Sequence, residues 1–487
     1  MALVAGLLGG PVATSAGAAT PTRAGSSSVH WGACHDNLPS GYQCATLPVP
    51  LDGEKVTDAG PTFPLALARL PASGTAIGSL LVNPGGPGVS GVSELPGIVG
   101  MLSSSLLDHF NIVGFDPPGV GESDPVVCLP PASFGQYLNL DPAPTTAAGL
   151  QTLVAGNRKF ARGCEAESGR ILPHVSTVAA ARDMDRIRQA LGDPKLNYLG
   201  FSYGTLLGAT YAQLYPTRVR AMVLDGAINP ALAPVPMITA QSEALDGQLR
   251  GLEASCASDH SCPWHAAAGQ TLAQAFGALL AKVRAHPEHV SGTSQDVDPA
   301  VLLYGTAAGL YSTDTWPSLE DALAQLAGGN GSEILSMFDS YVGRNSNGTY
   351  ANTFEAESAV DCLDAPSPSV RQLIADGREV AKEAPAFGLL DLYSELTCAV
   401  WPVKATGTVG PISAPGSPPI VVVGSTGDPI TPYRWAVSLA HQLHRGVLLT
   451  RVGDGHTGYG ASQCVRNAVD SYLVDRKAPA AGTRCPS

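Results

Sequence analysis

The chain has 487 residues and a formal net charge of −13, with 44% hydrophobic and 14% charged residues. This length exceeds one ordinary hydrophobic core, and this composition is typical of a compact globular protein rather than a disordered chain. The negative charge, which no run of Lys or Arg offsets, argues against nucleic acids and anionic membranes as partners.

The N-terminal segment is similar to a secretory signal. Residues 1–13 are mostly apolar, and Ala16-Gly17-Ala18 supplies small residues suited to cleavage. A positively charged start is missing, and the alternative is a frayed apolar N-terminus. We expect residues 1–30 to comprise a signal peptide with a possible short propeptide, and the protein to be secreted and extracellular. The later chain lacks a run of about 18 apolar residues, so we expect no membrane span.

The cysteine content agrees with export. Ten cysteines, an even number, suggest disulfide bonds. The count alone leaves many pairings open, and we expect sequential neighbours to pair because each bond then closes a local loop. Neither Cys-x-x-Cys nor His-Glu-x-x-His occurs, so no metal site is expected. The expected bonds are Cys34–Cys44, Cys128–Cys164, Cys256–Cys262, Cys362–Cys398 and Cys464–Cys485.

Helices and strands are predicted to alternate along most of the chain. Short apolar runs indicate buried strands, and amphipathic runs bounded by Gly or Pro indicate helices. This alternation is what a parallel sheet requires. In chain order, the predicted elements are strands 79–82 and 111–115, helix 177–191, strand 196–201, helix 205–214, and strands 219–224, 419–424 and 447–452.

The most informative motif is Gly200-Phe-Ser202-Tyr-Gly204, between the strand ending at 201 and the helix that follows. In α/β-hydrolases, Gly-x-Ser-x-Gly forms a tight strand-to-helix turn that presents the serine as a nucleophile. A glycine is needed on each side because a Cβ there would collide with neighbouring backbone. A glycine-rich turn without function is the alternative, and the flanking elements favour the nucleophile.

A serine nucleophile requires a base and an orienting acid, which follow it in this chain order. Asp428 comes just after the strand at 419–424, and His456 lies in a glycine-rich loop after the strand at 447–452. Asp454 is the rival acid, although two residues from His456 it is more typical of a turn. Thr431 is predicted either to hydrogen-bond Asp428 or to cap a helix.

The loop after the first of these strands is a candidate oxyanion hole. It reads Asn83-Pro-Gly-Gly-Pro-Gly88, and its glycines let backbone N–H groups approach a developing oxyanion. We assign the hole to the backbone amides of Gly86 and Tyr203. By itself the loop would favour a Gly/Pro turn without function, but beside the predicted triad it favours the oxyanion hole.

Together these segments resemble the secreted bacterial tripeptidyl aminopeptidases, relatives of proline iminopeptidase in the α/β-hydrolase superfamily. The resemblance runs from about Cys34 to Cys485. It rests on motifs in the family's order and spacing, namely Asn83–Gly88, Asp116–Ser123, Gly-Phe-Ser-Tyr-Gly, Val-Leu-Asp225-Gly, Gly427–Thr431 and the terminal Gly-His-Thr-Gly. Where the family has Asp-Pro-Arg-Gly, this chain has Asp116-Pro117-Pro118-Gly119, which puts a polar contact near the site, and the substrate preference, in question.

The resemblance implies an α/β-hydrolase fold with a mostly parallel central sheet. Nearly two hundred residues separate the strands ending at 224 and starting at 419, far more than one crossover helix needs. We therefore expect a large, mainly helical cap at 231–415, inserted after the strand that follows the nucleophile. The hydrolase domain would then comprise 31–230 and 416–487.

The predicted activity is that of a serine exopeptidase that removes short peptides, expected to be tripeptides, from free N-termini. Such an enzyme must hold the substrate ammonium, and the acidic segment 355–364 supplies candidates. The family resemblance favours Asp364, with Asp361 and Glu357 as further candidates, and a solvated acidic face is the alternative. We expect a peptide substrate and no cofactor. The sequence leaves the oligomeric state open and favours a monomer.

Two other functions remain open from the sequence. The same triad serves secreted esterases and lipases, because fold does not dictate substrate. A non-catalytic binding protein on a hydrolase fold is a third possibility, against which the complete set of Ser, Asp and His argues.

Overall fold

The structure is a computed structural model. It describes residues 29–34, 38–52, 60–259, 261–266, 269–406 and 410–486. The expected signal peptide and propeptide, residues 1–30, lie outside the described residues except for Val29 and His30.

The described strands form one ten-stranded sheet and a separate pair, β8–β9. They are β1 (Gly32–Ala33), β2 (Gln43–Pro50), β3 (Thr62–Leu70), β4 (Ser79–Asn83), β5 (Asn111–Phe115), β6 (Leu196–Phe201), β7 (Val219–Asp225), β8 (Glu288–His289), β9 (Asp296–Val297), β10 (Ile420–Gly427), β11 (Gly446–Asp454) and β12 (Arg484–Pro486).

The large sheet has the order β1-β2-β3-β5-β4-β6-β7-β10-β11-β12. The first three strands and β5 pair antiparallel, and every pair from β5 to β12 is parallel. Parallel strands need their faces covered, which accounts for the continuous apolar runs of β4, β6 and β10. The predicted mostly parallel sheet of an α/β-hydrolase is confirmed.

Helices cover both faces of this sheet. Helices α5, α6 and α16 pack on one face, and α1, α2 and α17 pack on the other. The described helices are α1 (Leu95–Met101), α2 (Ser104–His109), α3 (Pro131–Leu138), α4 (Ala147–Ser168), α5 (Thr177–Ala190), α6 (Tyr203–Leu214), α7 (Pro234–Ser258), α8 (Leu272–Ala285), α9 (Pro299–Gly309), α10 (Trp316–Ala327), α11 (Ser332–Tyr341), α12 (Thr353–Asp364), α13 (Val370–Glu383), α14 (Gly388–Ser394), α15 (Leu396–Ala399), α16 (Tyr433–Gln442) and α17 (Gln463–Asp475), with short 3₁₀ turns at Leu172–His174, Pro216–Arg218 and Thr313–Thr315.

The topology places a site at the carboxyl ends of β4 and β6. After β4 the chain adds β5 on one side and then crosses back to add β6 on the other. Ligands of open α/β sheets bind at such a reversal of winding, beyond the carboxyl ends of the strands. Asn83 pairs with Gly200 in register, so the loop after β4 lies next to the turn after β6.

Helices α7 to α15 all fall between β7 and β10, within the range expected for the cap. The residue boundaries of the domains stay predictions. Two hydrogen bonds join this helical region to the loops that carry Asp428 and His456. Gln248 Nε2 donates to the Gly427 carbonyl at 2.7 Å, and the His456 amide donates to the Tyr311 carbonyl at 2.8 Å.

All ten cysteines are paired, in the five bonds between sequential neighbours that were expected from the sequence. Cys464–Cys485 ties α17 to β12, and Cys362–Cys398 ties α12 to α15. None of the helices in the described part of the chain is long and apolar enough to cross a membrane.

Candidate active site

Ser202 occupies the sharp turn between β6 and α6. Its backbone has φ 53° and ψ −123°, a conformation that side-chain-bearing residues rarely adopt. A Cβ on Gly200 would lie 2.4 Å from the Gly204 carbonyl oxygen, and one on Gly204 would lie 2.7 Å from Asn83 Oδ1. The turn therefore requires both glycines, for the steric reason expected from the motif.

His456 and Asp428 form a hydrogen-bonded pair at the ends of neighbouring parallel strands. The Nδ1 atom of His456 lies 2.9 Å and 3.0 Å from the two carboxylate oxygens of Asp428. The carboxylate also accepts the amides of Ile430 and Thr431 and the Thr431 hydroxyl, the last at 3.0 Å. Of the two roles predicted for Thr431, the structure shows the hydrogen bond to Asp428. The residue at the N-cap position of α16 is Pro432, not Thr431.

These partners keep Asp428 ionised. Burial acts to raise the pKa of Asp428, but His456 and the amides of Thr431 and Ile430 outweigh burial and hold the pKa below its ordinary value. An ionised Asp428 fixes the proton of His456 on Nδ1 and leaves Nε2 as the basic nitrogen.

Ser202 and His456 both lie against the dipeptide Asp225-Gly226. The Ser202 amide donates to the Asp225 carbonyl at 2.9 Å. A Cβ on the next residue, Gly226, would lie 3.1 Å from Cε1 of His456. The Nε2 atom of His456 is buried and has no hydrogen-bond partner among the described residues. Catalytic hydrogen bonds are often long in unliganded sites and tighten around substrate.

The loop after β4 passes over Ser202. A Cβ on Gly85 would lie 2.9 Å from Ser202 Cβ and 3.3 Å from the Tyr203 amide nitrogen, so only glycine permits this approach. The Gly85 amide donates to Asn83 Oδ1 at 3.0 Å. The amides of Gly86 and Tyr203 have no acceptor in the described part of the protein, and their assignment to the oxyanion hole stays a prediction.

Asp225 is a site residue whose part sequence reasoning missed. Its buried carboxylate accepts the Gly458 amide at 2.8 Å and the Tyr459 amide at 2.7 Å, just past His456. Burial raises the pKa of Asp225 to about 6, although the two amides and His456 act to lower it. The contacts of Asp225 join segments more than 230 residues apart, so the sequence does not reveal them. The sequence shows only that Asp225 lies directly at the end of a buried strand.

Asp116 braces the segment that follows the oxyanion loop. Its buried carboxylate accepts the Ser90 hydroxyl at 2.7 Å, the Val92 amide at 3.0 Å and the Glu122 amide at 2.9 Å. Pro118, which stands where the family has arginine, is buried in the same loop. Backbone and hydroxyl donors thus satisfy Asp116 in this chain.

The structure separates the three acids that were candidates for binding the ammonium. The favoured residue, Asp364, accepts the Thr177 amide at 2.8 Å and the Thr177 hydroxyl, so it anchors the first turn of α5. Asp364 does not line the cavity described next. Glu357 and Asp361, on the same helix α12, do line it.

This cavity, which we call the acidic cavity, has a volume of about 190 Å³ and receives four carboxylates. Two of them, Asp391 and Glu395, were not predicted from the sequence, because they come from α14 and its C-terminal end, some 30 residues further along the chain. Aromatic rings form much of the remaining wall. The lining includes Glu357, Asp361, Asp391, Glu395, Tyr304, Tyr341 and Phe354.

Burial dominates the ionisation of these acids. It raises the pKa values of Glu357 and Asp391 to about 7 each. The pKa of Asp361 lies well above its ordinary value because of burial and the nearby Glu357, and burial also raises that of Glu395. A cation in the cavity would stabilise the charged forms and pull these pKa values down.

In the described part of the chain, one group of three side chains has the spacing of metal ligands: Cys256, Cys262 and His265. Both cysteines are joined in a disulfide bond, so their sulfur atoms are not thiolate ligands.

Comparison with known proteins agrees with this geometry. Residues 384–485 match the family model described as TAP-like protein. The chain is 36% identical over 474 residues to serine protease Hip1 of Mycobacterium tuberculosis, covering 94% of this chain and 91% of that protein. It is 33% identical over 480 residues to tripeptidyl aminopeptidase of Streptomyces lividans, covering 95% and 87%. Carboxylesterase B of M. tuberculosis is 36% identical over 478 residues, covering 93% and 89%.

Among solved structures, proline iminopeptidase of Mycobacterium smegmatis matches with a TM-score of 0.37 and 13% identity, over 88% of this chain and 98% of that one. The sequence relatives span nearly the whole chain, and the sheet, the nucleophile turn and the Asp–His pair are those of a serine hydrolase of the peptidase type. The chain therefore belongs to the tripeptidyl aminopeptidase family of the α/β-hydrolase superfamily.

Proposed function

We propose that this serine peptidase is a secreted exopeptidase that removes tripeptides from the free N-termini of peptides. The acidic cavity supports this proposal, because two carboxylates from α12, which packs on the oxyanion loop, meet there with two carboxylates from α14 and its C-terminal end and with several aromatic rings. Carboxylates and aromatic faces in a partly dry cavity are suited to an ammonium group.

The cavity is close to the catalytic groups through α12. A Cβ on Gly88, two residues beyond Gly86, would lie 2.8 Å from the Glu357 amide nitrogen. The N-terminal half of α12 thus packs on the oxyanion loop, and Glu357 extends from there into the cavity. A peptide whose ammonium is held by Glu357 and Asp361 can extend towards Ser202. The distance between the cavity and Ser202 would then set the number of residues before the cleaved bond.

The proposed reaction follows from the triad. His456 takes the Ser202 proton as Oγ attacks the carbonyl carbon, Asp428 stabilises the imidazolium, and the Gly86 and Tyr203 amides stabilise the oxyanion. His456 then donates that proton to the leaving amine. Water, activated by His456, hydrolyses the acyl-enzyme and restores Ser202.

Secretion is part of the proposal. The chain has five disulfide bonds. Disulfide bonds persist in oxidising compartments and are rare in the cytosol. The apolar segment at 1–13 and the small residues that follow it are of the kind that export requires.

An esterase is the second candidate, and one relative carries the name carboxylesterase. A preference for uncharged esters would be better served by an apolar acyl pocket than by buried carboxylates, which are costly without a cationic partner. The acidic cavity therefore favours the peptidase. A purely binding protein would have no use for the paired Asp428 and His456.

A comparison of three substrates tests the proposal: a chromogenic tripeptide amide with a free N-terminus, its N-acetylated twin and a short-chain p-nitrophenyl ester. We expect the free tripeptide to be cleaved and the acetylated one to be cleaved at least about tenfold more slowly. Equal cleavage of both would contradict recognition of the ammonium, and turnover of the ester alone would assign an esterase.

A further inference from the structure

A second cavity lies beside His456. It has a volume of about 140 Å³, and we call it the His456 cavity because His456 and Thr457 form one wall. Its other walls are mostly apolar. They include Ile98, Met101, Phe201, Ala308 and Tyr311.

The role of His456 in the proposed reaction indicates which part of the substrate this cavity would hold. His456 must protonate the amine that departs, so the residue after the scissile bond has to lie on the His456 side of Ser202. In the proposed function, the acyl part of the substrate extends towards α12 and the acidic cavity. Tyr311 lines the His456 cavity and Tyr341 lines the acidic cavity, and their rings pack edge to face at 6.4 Å. This aromatic pair separates the two cavities.

One charged side chain, Glu94, enters the His456 cavity. Glu94 directly precedes α1, and its backbone amide bonds to the Ser90 carbonyl. No described residue donates a hydrogen bond to its carboxylate or forms an ion pair with it. Burial alone raises the pKa of Glu94 to about 7. The Glu94 side chain is partly buried, and a carboxylate that no described cation neutralises can pair with a cationic group of a ligand.

We propose that the His456 cavity binds a basic side chain, Arg or Lys, on the residue immediately after the scissile bond. The methylene stem of such a side chain packs along Ile98 and Met101, and its cationic head reaches the Glu94 carboxylate. This inference rests on the proposed function and extends it from the acyl side of the substrate to the leaving side.

Competition between matched peptides tests the inference. Each peptide has a free N-terminus, the same first three residues, and Arg, citrulline or Glu at the fourth position, and the released products are quantified by mass spectrometry. Citrulline keeps the shape of arginine and removes its charge. We expect kcat/KM for Arg to exceed that for citrulline by about tenfold, and Glu to be the poorest.

The variant Glu94→Gln isolates the carboxylate. We expect it to bring the Arg-to-citrulline ratio close to one. The ratio is internal to each preparation, so a partly unfolded sample does not change it. The matched control is Asp314→Asn, which removes one negative charge from the exposed turn beside the cavity wall at Ser312 and Thr315. Asp314→Asn should leave the ratio as in the wild type.

Three outcomes overturn the inference: no preference for Arg over citrulline, a preference that survives Glu94→Gln, or a preference lost equally in Asp314→Asn. The N-acetylated forms of the same peptides keep this result separate from the proposed function. If acetylated peptides are cleaved as well as free ones, recognition of the ammonium fails, while the Arg-to-citrulline ratio still reports on Glu94. If no peptide is cleaved, both proposals are wrong.

Discussion

The carboxylate of Asp225 accepts the backbone amide of Gly458 at 2.8 Å and thereby ties the end of β7 to the loop that carries His456. The adjacent amide of Tyr459 donates to the same carboxylate, and the Thr457 amide lies 3.3 Å from Asp428. Three consecutive amides after His456 are thus held by two buried acids from the ends of β7 and β10. A glycine-rich loop, which would otherwise be flexible, is fixed in this way.

Asp225 is therefore expected to act as a positioning residue. Asp225→Asn replaces one acceptor oxygen by an NH₂ group that faces a backbone N–H, which should shift His456. We predict that kcat falls about 10- to 100-fold while KM changes much less, since Asp225 is not placed to touch substrate. Steady-state kinetics on a free tripeptide amide measure both constants.

Asp246→Asn is the matched control for that variant. Asp246 also accepts two backbone amides, those of Ala386 and Phe387, but within the helical insertion. It should lose stability without a comparable loss of kcat. Equal loss of kcat in both variants would mean that Asp225 contributes only to stability.

Ser202 is predicted to be the nucleophile, and its backbone conformation, with φ 53°, is predicted to lower the stability of the folded protein. Ser202→Ala should lower kcat at least about 10⁴-fold, because it removes the hydroxyl oxygen that forms the acyl-enzyme. Ser202→Gly should be equally inactive but more stable than Ser202→Ala by roughly 1 kcal/mol, since glycine tolerates φ 53° and alanine does not. Denaturant unfolding measures the difference. A less stable glycine variant, or a variant that keeps its activity, would contradict this account of the turn.

Glu357 is predicted to bind the ammonium group at the free N-terminus of the substrate. Glu357→Gln removes a charge from the acidic cavity and should lower the free-to-acetylated ratio of kcat/KM about tenfold, mainly through KM. Asp364→Asn lies on the same helix and serves as control. Because Asp364 binds Thr177 outside the cavity, this variant should lose stability and keep the ratio. A ratio that responds to Asp364 and not to Glu357 would restore the residue favoured by the sequence.

The buried acids also predict how stability depends on pH. The folded-state pKa values of Glu357 and Asp391 are about 7, against about 4 in an unfolded chain. Their contribution to stability is fully present below about pH 4 and is lost as pH rises through about 7, because the unfolded state releases these protons first. We predict a lower melting temperature at pH 8 than at pH 5, and a smaller difference in Glu357→Gln. An identical difference in wild type and variant would contradict the role of Glu357.

The positions of Ser202, Asp428 and His456 could be predicted from sequence because each follows a strand whose apolar run is visible locally. Ser202, Asp428 and His456 then lie at the same edge of the sheet, because parallel strands end there. The acidic cavity and Glu94 could not be predicted in this way. Their positions depend on how the inserted helices pack on the sheet, and the sequence of α12 does not reveal which of its acids faces a cavity and which, like Asp364, binds another helix.

We propose that the enzyme removes three residues at a time from a free N-terminus. The most direct measurement is the mass spectrum of products released over time from a peptide of about ten residues, compared with its N-acetylated form. We predict successive loss of tripeptides from the free peptide, little cleavage of the acetylated one and none with Ser202→Ala. Release of single residues, internal fragments, or the same products from the acetylated peptide would contradict it.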